Sequence, residues 1–303
     1  MHLSVNKEKN QLRVFQPGEP ACPVACKYCS ITEHDLRRET WNAGSAAGVN
    51  NSCTFVNVPP WIGTDPAAQE SFRSFPWHLL RGDYVGFTAI TDPLWPEIEP
   101  WFWEFVERAG PQAKLLTAVT KWPVTASTMR KLARVPNFFL VVSITGNAPP
   151  IERFPVERHL RTLALAREHG VRALPISHPY IAGVSDLSFL PELSRMGYRE
   201  FDVKGLRYCD RTMASWMPDK SRRYYVGRED EEVLPEDGWR DRVLDAGLSL
   251  FSPRAWYQRE APPTPSLDPI SARLSVEELL NFAQVVTSSH SSAVKDAAIR
   301  RRL

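Results

Sequence analysis

Short apolar runs that alternate with helix-patterned stretches constrain this chain more than any other feature. Segments 84–90, 114–120, 138–145, 172–177 and 200–205 are rich in β-branched and aromatic residues and lie between turn signals. They are too short for free-standing helices, so they read as buried strands, and 11–15 reads the same way. Between them, 97–109 places Ile98, Trp101, Phe102, Phe105 and Val106 at helical spacing. A shorter helix is expected over 125–133 from a Thr125 cap, and another over 156–169, where Leu160, Leu163 and Ala164 precede the natural stop Gly170. Such alternation predicts an α/β fold, a parallel sheet covered by helices. With about six strand–helix units the expected closure is a partial barrel, whose functional residues gather where the βα loops leave the strands.

The flanking regions are less regular. Residues 43–81 form a longer connection than most, and their Gly, Asn, Ser and Pro content predicts an excursion followed by one helix, contributing Cys53. Beyond Tyr208 the pattern fades into a linker marked by Pro253, Pro262, Pro263 and Pro265. A last helical region begins at Ser275, where Ser275 and Glu278 have capping-box spacing ahead of Leu279, Leu280 and Phe282. The chain thus divides into a core over 1–210 and an extension over 211–303 that completes or covers the barrel. Its 303 residues suffice for a large core without help from metal. No apolar run approaches a membrane span, which predicts no membrane partner. A net charge of +2 neither demands nor excludes nucleic acid, and the Arg300-Arg301-Arg302 tail reads as a solvated helix end.

Three of the five cysteines, Cys22, Cys26 and Cys29, share one short string. Thiolates so spaced can wrap a loop around a soft metal centre, and three ligands on a four-iron cluster leave one iron open to an outside molecule. Structural zinc is the rival, since it wants four closed ligands and could recruit His34 or Cys53. A disulfide framework is disfavoured by the odd cysteine count, the chain's size and the lack of a recognisable secretory signal. Free thiols and an oxygen-sensitive cluster would suit a reducing cytoplasm.

Cys-x3-Cys-x2-Cys with an aromatic residue, Tyr28, before the third cysteine resembles the signature of the radical S-adenosylmethionine (radical SAM) superfamily. The resemblance implies a partial (β/α)6 barrel, a [4Fe-4S] cluster on Cys22, Cys26 and Cys29, and S-adenosyl-L-methionine chelating the open iron. Reductive cleavage of that cofactor would give a 5'-deoxyadenosyl radical that abstracts substrate hydrogen, with electrons from a donor such as flavodoxin or ferredoxin. Within the superfamily, residues 11–186 are most similar to the spore photoproduct lyase-like branch, through Thr91-Asp92-Pro93 followed by Glu97, through Thr120-Lys121, and through the stretch from Glu152 to Arg158 that leads on to 179–186. In that last piece Ala182 and Ser185 replace the branch's usual Pro and Asn.

The expected rim carries the cysteine loop after the first strand, then Thr91-Asp92-Pro93, Thr120-Lys121, Ser143-Ile144-Thr145-Gly146, the stretch from His178 to Gly183, and that from Lys204 to Cys209. Asp92, aided by Thr91, could accept from the cofactor's amino group, and Lys121 could meet its carboxylate as a point charge. Ser143 could bond the ribose and Tyr28 pack by the adenine; the resemblance implies these roles at the same positions. Each has a plainer alternative. Asp92 could make an Asx turn before Pro93, Ser143 could be a satisfied core hydroxyl, and Lys121 a surface charge.

Cys209 is a candidate hydrogen-atom donor, with Tyr208 as fallback, although a free cysteine is commonly a small buried hydrophobe. His178, Tyr180, Lys204, Arg207 and Asp210 form a polar set suited to a small hydroxyl-rich, charged or amine-bearing substrate. Lys204 pairing with Asp202 is the plainer reading there. Trp95, Trp101, Trp103 and Trp122 read as core or rim packing. The expected activity is a radical SAM reaction, epimerisation or a related rearrangement, on a small polar metabolite such as a natural-product intermediate. A nucleic-acid lesion lyase would call for a basic groove that this charge balance does not advertise. A zinc-stabilised binding module without catalysis is the alternative from another class.

Overall fold

The computed structural model describes residues 22–29, 54–56, 58–74, 77, 84–87, 91–207, 216–228 and 232–251. One sheet holds β1 (Thr54–Val56), β2 (Tyr84–Phe87), β3 (Leu115–Thr120), β4 (Phe138–Ser143), β5 (Ala173–Ser177) and β6 (Glu200–Val203). A two-stranded antiparallel ribbon, β7 (Leu206–Arg207) with β8 (Glu232–Val233), stands apart, and β9 (Ser249–Leu250) then joins the sheet beside β6. The seven sheet strands are parallel and lie in chain order. Because the order never reverses, every crossover advances the same way, and right-handed crossovers then place the helices on one face. No topological switch point exists in such a sheet. Among the described residues the edge strands β1 and β9 do not pair with each other, so the described sheet is open.

The helices are α1 (Pro66–Arg73), α2 (Glu99–Ala109), α3 (Ala126–Leu132), α4 (Val156–Glu168), α5 (Leu190–Arg195), α6 (Asp219–Arg222) and α7 (Trp239–Asp245). Local chemistry sets their ends. The Thr125 hydroxyl accepts from the Thr128 amide at the start of α3, and Gly170 takes φ +69° just beyond α4. Phe72, Phe102, Phe105, Met129, Leu132, Leu163, Leu193 and Val243 pack with Val85, Phe87, Leu116, Ala118, Leu140, Val142, Phe201 and Val203 in one core. Each large side chain fully buried there is worth about 1.5–3 kcal/mol.

Side chains alternate along a strand, so the opposite face of the sheet carries the other set. Val119 registers with Val141 and Val141 with Leu174, while Ser143 registers with Ile176 and Ile176 with Asp202. The first row is an apolar floor. The second introduces polar groups toward the carboxyl ends of the strands, and Lys121, just past β3, reaches Ser143 from the same side.

Strands β2 to β6 and helices α2 to α4 form where the sequence predicts them. The excursion expected over 43–81 is corrected: besides a 3-10 turn at Ile62–Thr64 and α1, it contains β1, which takes the sheet edge beside β2. The fading expected beyond Tyr208 is likewise corrected by α7 and β9, which add a strand to the other edge. The expected strand at 11–15, residues 88–90 of the second strand and the helix from Ser275 lie outside the described residues. No described helix is long and apolar enough to cross a membrane.

Candidate functional site

Residues 22–29 form two successive turns, closed by the Ala25 amide on the Cys22 carbonyl and the Cys29 amide on the Cys26 carbonyl, each at 3.0 Å. Ala25 bends the chain through φ +48°, a left-handed conformation that non-glycine residues adopt rarely. None of the three forms a disulfide. Cys26 is buried, and Cys22 and Cys29 are half-buried. The Cys22 sulfur accepts backbone N–H groups of Val24 and Asp92. Burial, then the Asp92 charge, pushes the Cys22 thiol up to about 12, with Cys29 adding to the rise. Burial raises Cys26 well above the ordinary thiol value; the Lys121 ammonium opposes this, and Glu152, Cys29 and Cys22 add to it. The thiols therefore lie close enough to feel one another's charge.

Among the described residues, no set of three or more His, Cys, Asp and Glu side chains is arranged to hold a metal ion as it stands. The donor chemistry nonetheless fits a four-iron cluster. Three cysteines in no disulfide share one loop, one sulfur already accepts two amide N–H groups, and each cysteine of such a cluster binds its own iron.

The Thr91-Asp92-Pro93 segment lies against this loop through the Asp92 amide. The Asp92 carboxylate is engaged by protein donors. Its Oδ1 accepts from the Leu94 amide at 3.0 Å and the Thr120 hydroxyl at 2.8 Å, and its Oδ2 from the amides of Lys121 at 2.7 Å and Trp122 at 3.0 Å. A carboxylate has about four lone-pair sites, and all are taken within the protein. The Leu94 bond is the expected Asx turn. Burial raises the Asp92 carboxyl pKa, and the four hydrogen bonds oppose that rise. Thr91 differs: its buried hydroxyl has no hydrogen-bond partner among the described residues.

Lys121 is not a surface charge, its side chain being only 14% exposed. Its Nζ donates to Ser143 Oγ at 2.8 Å and to Glu152 Oε1 at 3.1 Å, and lies 5.5 Å from the centre of the Tyr28 ring. Burial lowers its pKa to about 8, against the pull of Cys26 and Asp92. Ser143 in turn donates to the His178 carbonyl at 3.2 Å, so its hydroxyl is satisfied on both sides.

Glu152, 2% exposed, is the residue whose role the sequence did not disclose. Its Oε1 accepts from the Tyr28 hydroxyl, from the Thr145 hydroxyl and from Lys121, bringing together the cysteine loop and the ends of β3 and β4. Burial raises its pKa well above the ordinary carboxylate range. The available signal was a lone acid in the otherwise apolar and prolyl run from Pro149 to Phe154, interrupted only by Arg153.

Of the expected substrate set, Tyr180 and Lys204 are neighbours, the Tyr180 amide donating to the Lys204 carbonyl at 2.8 Å, and the described side chains meet protein groups. Tyr180 is buried, its hydroxyl donating to Asp237 Oδ2 at 2.6 Å and accepting from Arg242 of α7. Lys204 stands 3.8 Å from Asp202, the plainer of its two expected roles. The His178 carbonyl serves Ser143, and the Arg207 backbone pairs with Glu232 in the ribbon. Tyr208, Cys209, Asp210, Cys53 and His34 lie outside the described residues. Trp101 is buried in the core, and Trp95, Trp103 and Trp122 pack against it.

His159 of α4 is buried with its Nε2 3.9 Å from Glu152 Oε2. Burial, helped by the Lys121 charge, lowers its pKa from 6.5 to about 3. Between those values the unfolded chain binds a proton that the folded chain does not, so stability falls as pH falls through this window. Urea unfolding at pH 7 and pH 5 should show the wild type losing about 2 kcal/mol more than His159→Leu. Equal losses would mean that His159 titrates normally.

Comparison with protein-family models, curated proteins and solved structures finds no match to this chain.

Proposed function

We propose that this chain is a radical SAM enzyme built on a partial (β/α)6 barrel and acting on a small polar metabolite. The observation that carries this reading is the placement of three cysteines, none in a disulfide, on one loop beside the Thr91-Asp92-Pro93 segment at a parallel sheet.

Cys22, Cys26 and Cys29 would hold a [4Fe-4S] cluster. When bound, the cluster supplies the electron that cleaves S-adenosyl-L-methionine reductively and so starts hydrogen abstraction from the substrate. The chain's own groups position the reactants. Lys121 spends two of its three donors on Ser143 and Glu152, leaving one for the cofactor carboxylate. The unpartnered Thr91 hydroxyl offers a hydrogen bond beside the cysteine loop. With the Asp92 side chain fully engaged, Thr91 would be the chain's own partner for the cofactor's amino group. Val24, Cys26 and Tyr28 of the loop pack with Ile181, Leu206, Met217 and Tyr225 in one apolar cluster. Flavodoxin or ferredoxin would supply electrons, and Cys209 or Tyr208 remains the candidate hydrogen-atom donor.

Anaerobic reconstitution tests the proposal. The brown protein should bind about four irons and four sulfides per chain. With dithionite it should convert S-adenosyl-L-methionine to methionine and 5'-deoxyadenosine. A colourless protein that retains tight zinc would overturn the reading.

A further inference from the structure

Three consecutive residues after β4 each grip the cysteine loop. The Ile151 carbonyl accepts from the Lys27 amide at 3.0 Å. The Glu152 carboxylate accepts from the Tyr28 hydroxyl. Arg153 donates through Nη1 to the Pro23 carbonyl at 2.9 Å, its guanidinium lying 5.8 Å from the Trp122 ring centre and 5.5 Å from that of Phe154. Pro23 follows Cys22, and Lys27 and Tyr28 separate Cys26 from Cys29, so the loop is held at both ends of the cysteine triplet.

The loop cannot hold this shape unaided. Its described internal backbone bonds are two isolated turns, one passing through Ala25 in a left-handed conformation. A segment with so few local bonds opens readily unless tertiary contacts hold it. Glu152 provides the strongest of these, because the oxygen that receives Tyr28 also receives Thr145 from the end of β4 and Lys121 from the end of β3. Hydrogen bonds that involve a charged group are stronger than neutral ones. Any shift of Glu152 therefore moves the loop relative to the two strand ends that line the site.

We propose that Ile151-Glu152-Arg153 is a docking strip for the cysteine loop, and that Glu152 is a positioning residue that fixes the three thiols against the sheet. Its meaning for catalysis rests on the radical SAM reading; the docking itself does not. Glu152 acts through Tyr28 and Lys121 rather than by touching a reactant.

The test reads thiol reactivity in metal-free, reduced, full-length protein. Iodoacetamide labelling of Cys22, Cys26 and Cys29 is followed by peptide mass spectrometry, with the urea midpoint of each variant measured alongside. Glu152→Ala and Tyr28→Phe should each label Cys26 about tenfold faster than the wild type. Glu152→Gln, which keeps an acceptor for Tyr28 and Thr145, should restore slow labelling. Arg153→Ala, at an exposed position, should accelerate Cys22 without shifting the midpoint. If Glu152→Ala fails to fold, Tyr28→Phe and Arg153→Ala carry the test. Wild-type labelling rates in those variants would overturn the docking strip, as would acceleration that merely follows a lowered midpoint. Failure of the wild type to take up an iron-sulfur cluster would instead remove the radical SAM reading and leave the labelling result standing.

Discussion

Cys26→Ala should pass through anaerobic reconstitution colourless, with no broad absorbance near 400 nm and no cleavage of S-adenosyl-L-methionine. Cys26 is the central and most enclosed of the three thiols, 8% exposed and in the same apolar cluster as Val24 and Tyr28. Removing it leaves Cys22 and Cys29, and two thiolates do not retain the cluster that three are proposed to hold. The fold should survive, because losing one sulfur from a small buried side chain costs on the order of 1 kcal/mol. The variant thus separates ligation from folding. Its urea midpoint should stay close to that of metal-free wild type while iron content and turnover disappear. A brown Cys26→Ala protein that still produces 5'-deoxyadenosine would remove Cys26 from the ligand set.

The central sheet is legible in the sequence because β3 to β5 are buried along nearly their whole length, and such strands read as near-continuous apolar runs. Leu115–Thr120 and Phe138–Ser143 are examples, six residues each and buried almost throughout. The edge strands are not legible for a related reason. Thr54–Val56 has three residues and Ser249–Leu250 two, too few for any period to emerge, and their strand character comes from pairing with β2 and β6. The site divides along the same line. Cys22, Cys26 and Cys29 announce themselves by spacing, and Thr91, Asp92, Lys121 and Ser143 by their places at strand ends. Glu152 has no spacing to report it, since it lies 124 positions from Tyr28 and 31 from Lys121. Only the fold makes it the point where those residues meet. Asp92 and Ser143 show the converse: the sequence offers them as cofactor contacts, yet protein groups already occupy their side-chain oxygens.

Asp92→Asn should destabilise the metal-free protein by about 3 kcal/mol or more, read as a lowered urea midpoint with an unchanged slope. The reason lies in the four donors around the carboxylate. Two face Oδ1, from Leu94 and Thr120, and two face Oδ2, from Lys121 and Trp122. An asparagine amide has one oxygen and one NH2 group, so either orientation of the side chain points a donor at two donors. Rotation of the Thr120 hydroxyl relieves one conflict at Oδ1, but the amides of Leu94, Lys121 and Trp122 cannot turn. Asp92→Ala removes the opposed donors but leaves the Leu94 and Lys121 amides without their carboxylate acceptor, the Trp122 amide keeping Thr120 Oγ1 at 3.0 Å, at a cost of the same order. Both losses are a large share of the 5–15 kcal/mol that typically separates folded from unfolded chains. An acceptor reserved for the cofactor's amino group would behave otherwise, because its neutral isostere would fold as the wild type does and lose only cofactor affinity. The metal-free protein without S-adenosyl-L-methionine distinguishes the two. A wild-type midpoint for Asp92→Asn would return Asp92 to the ligand, whereas a large drop makes it the tie that holds the end of β3 to the segment beneath Cys22.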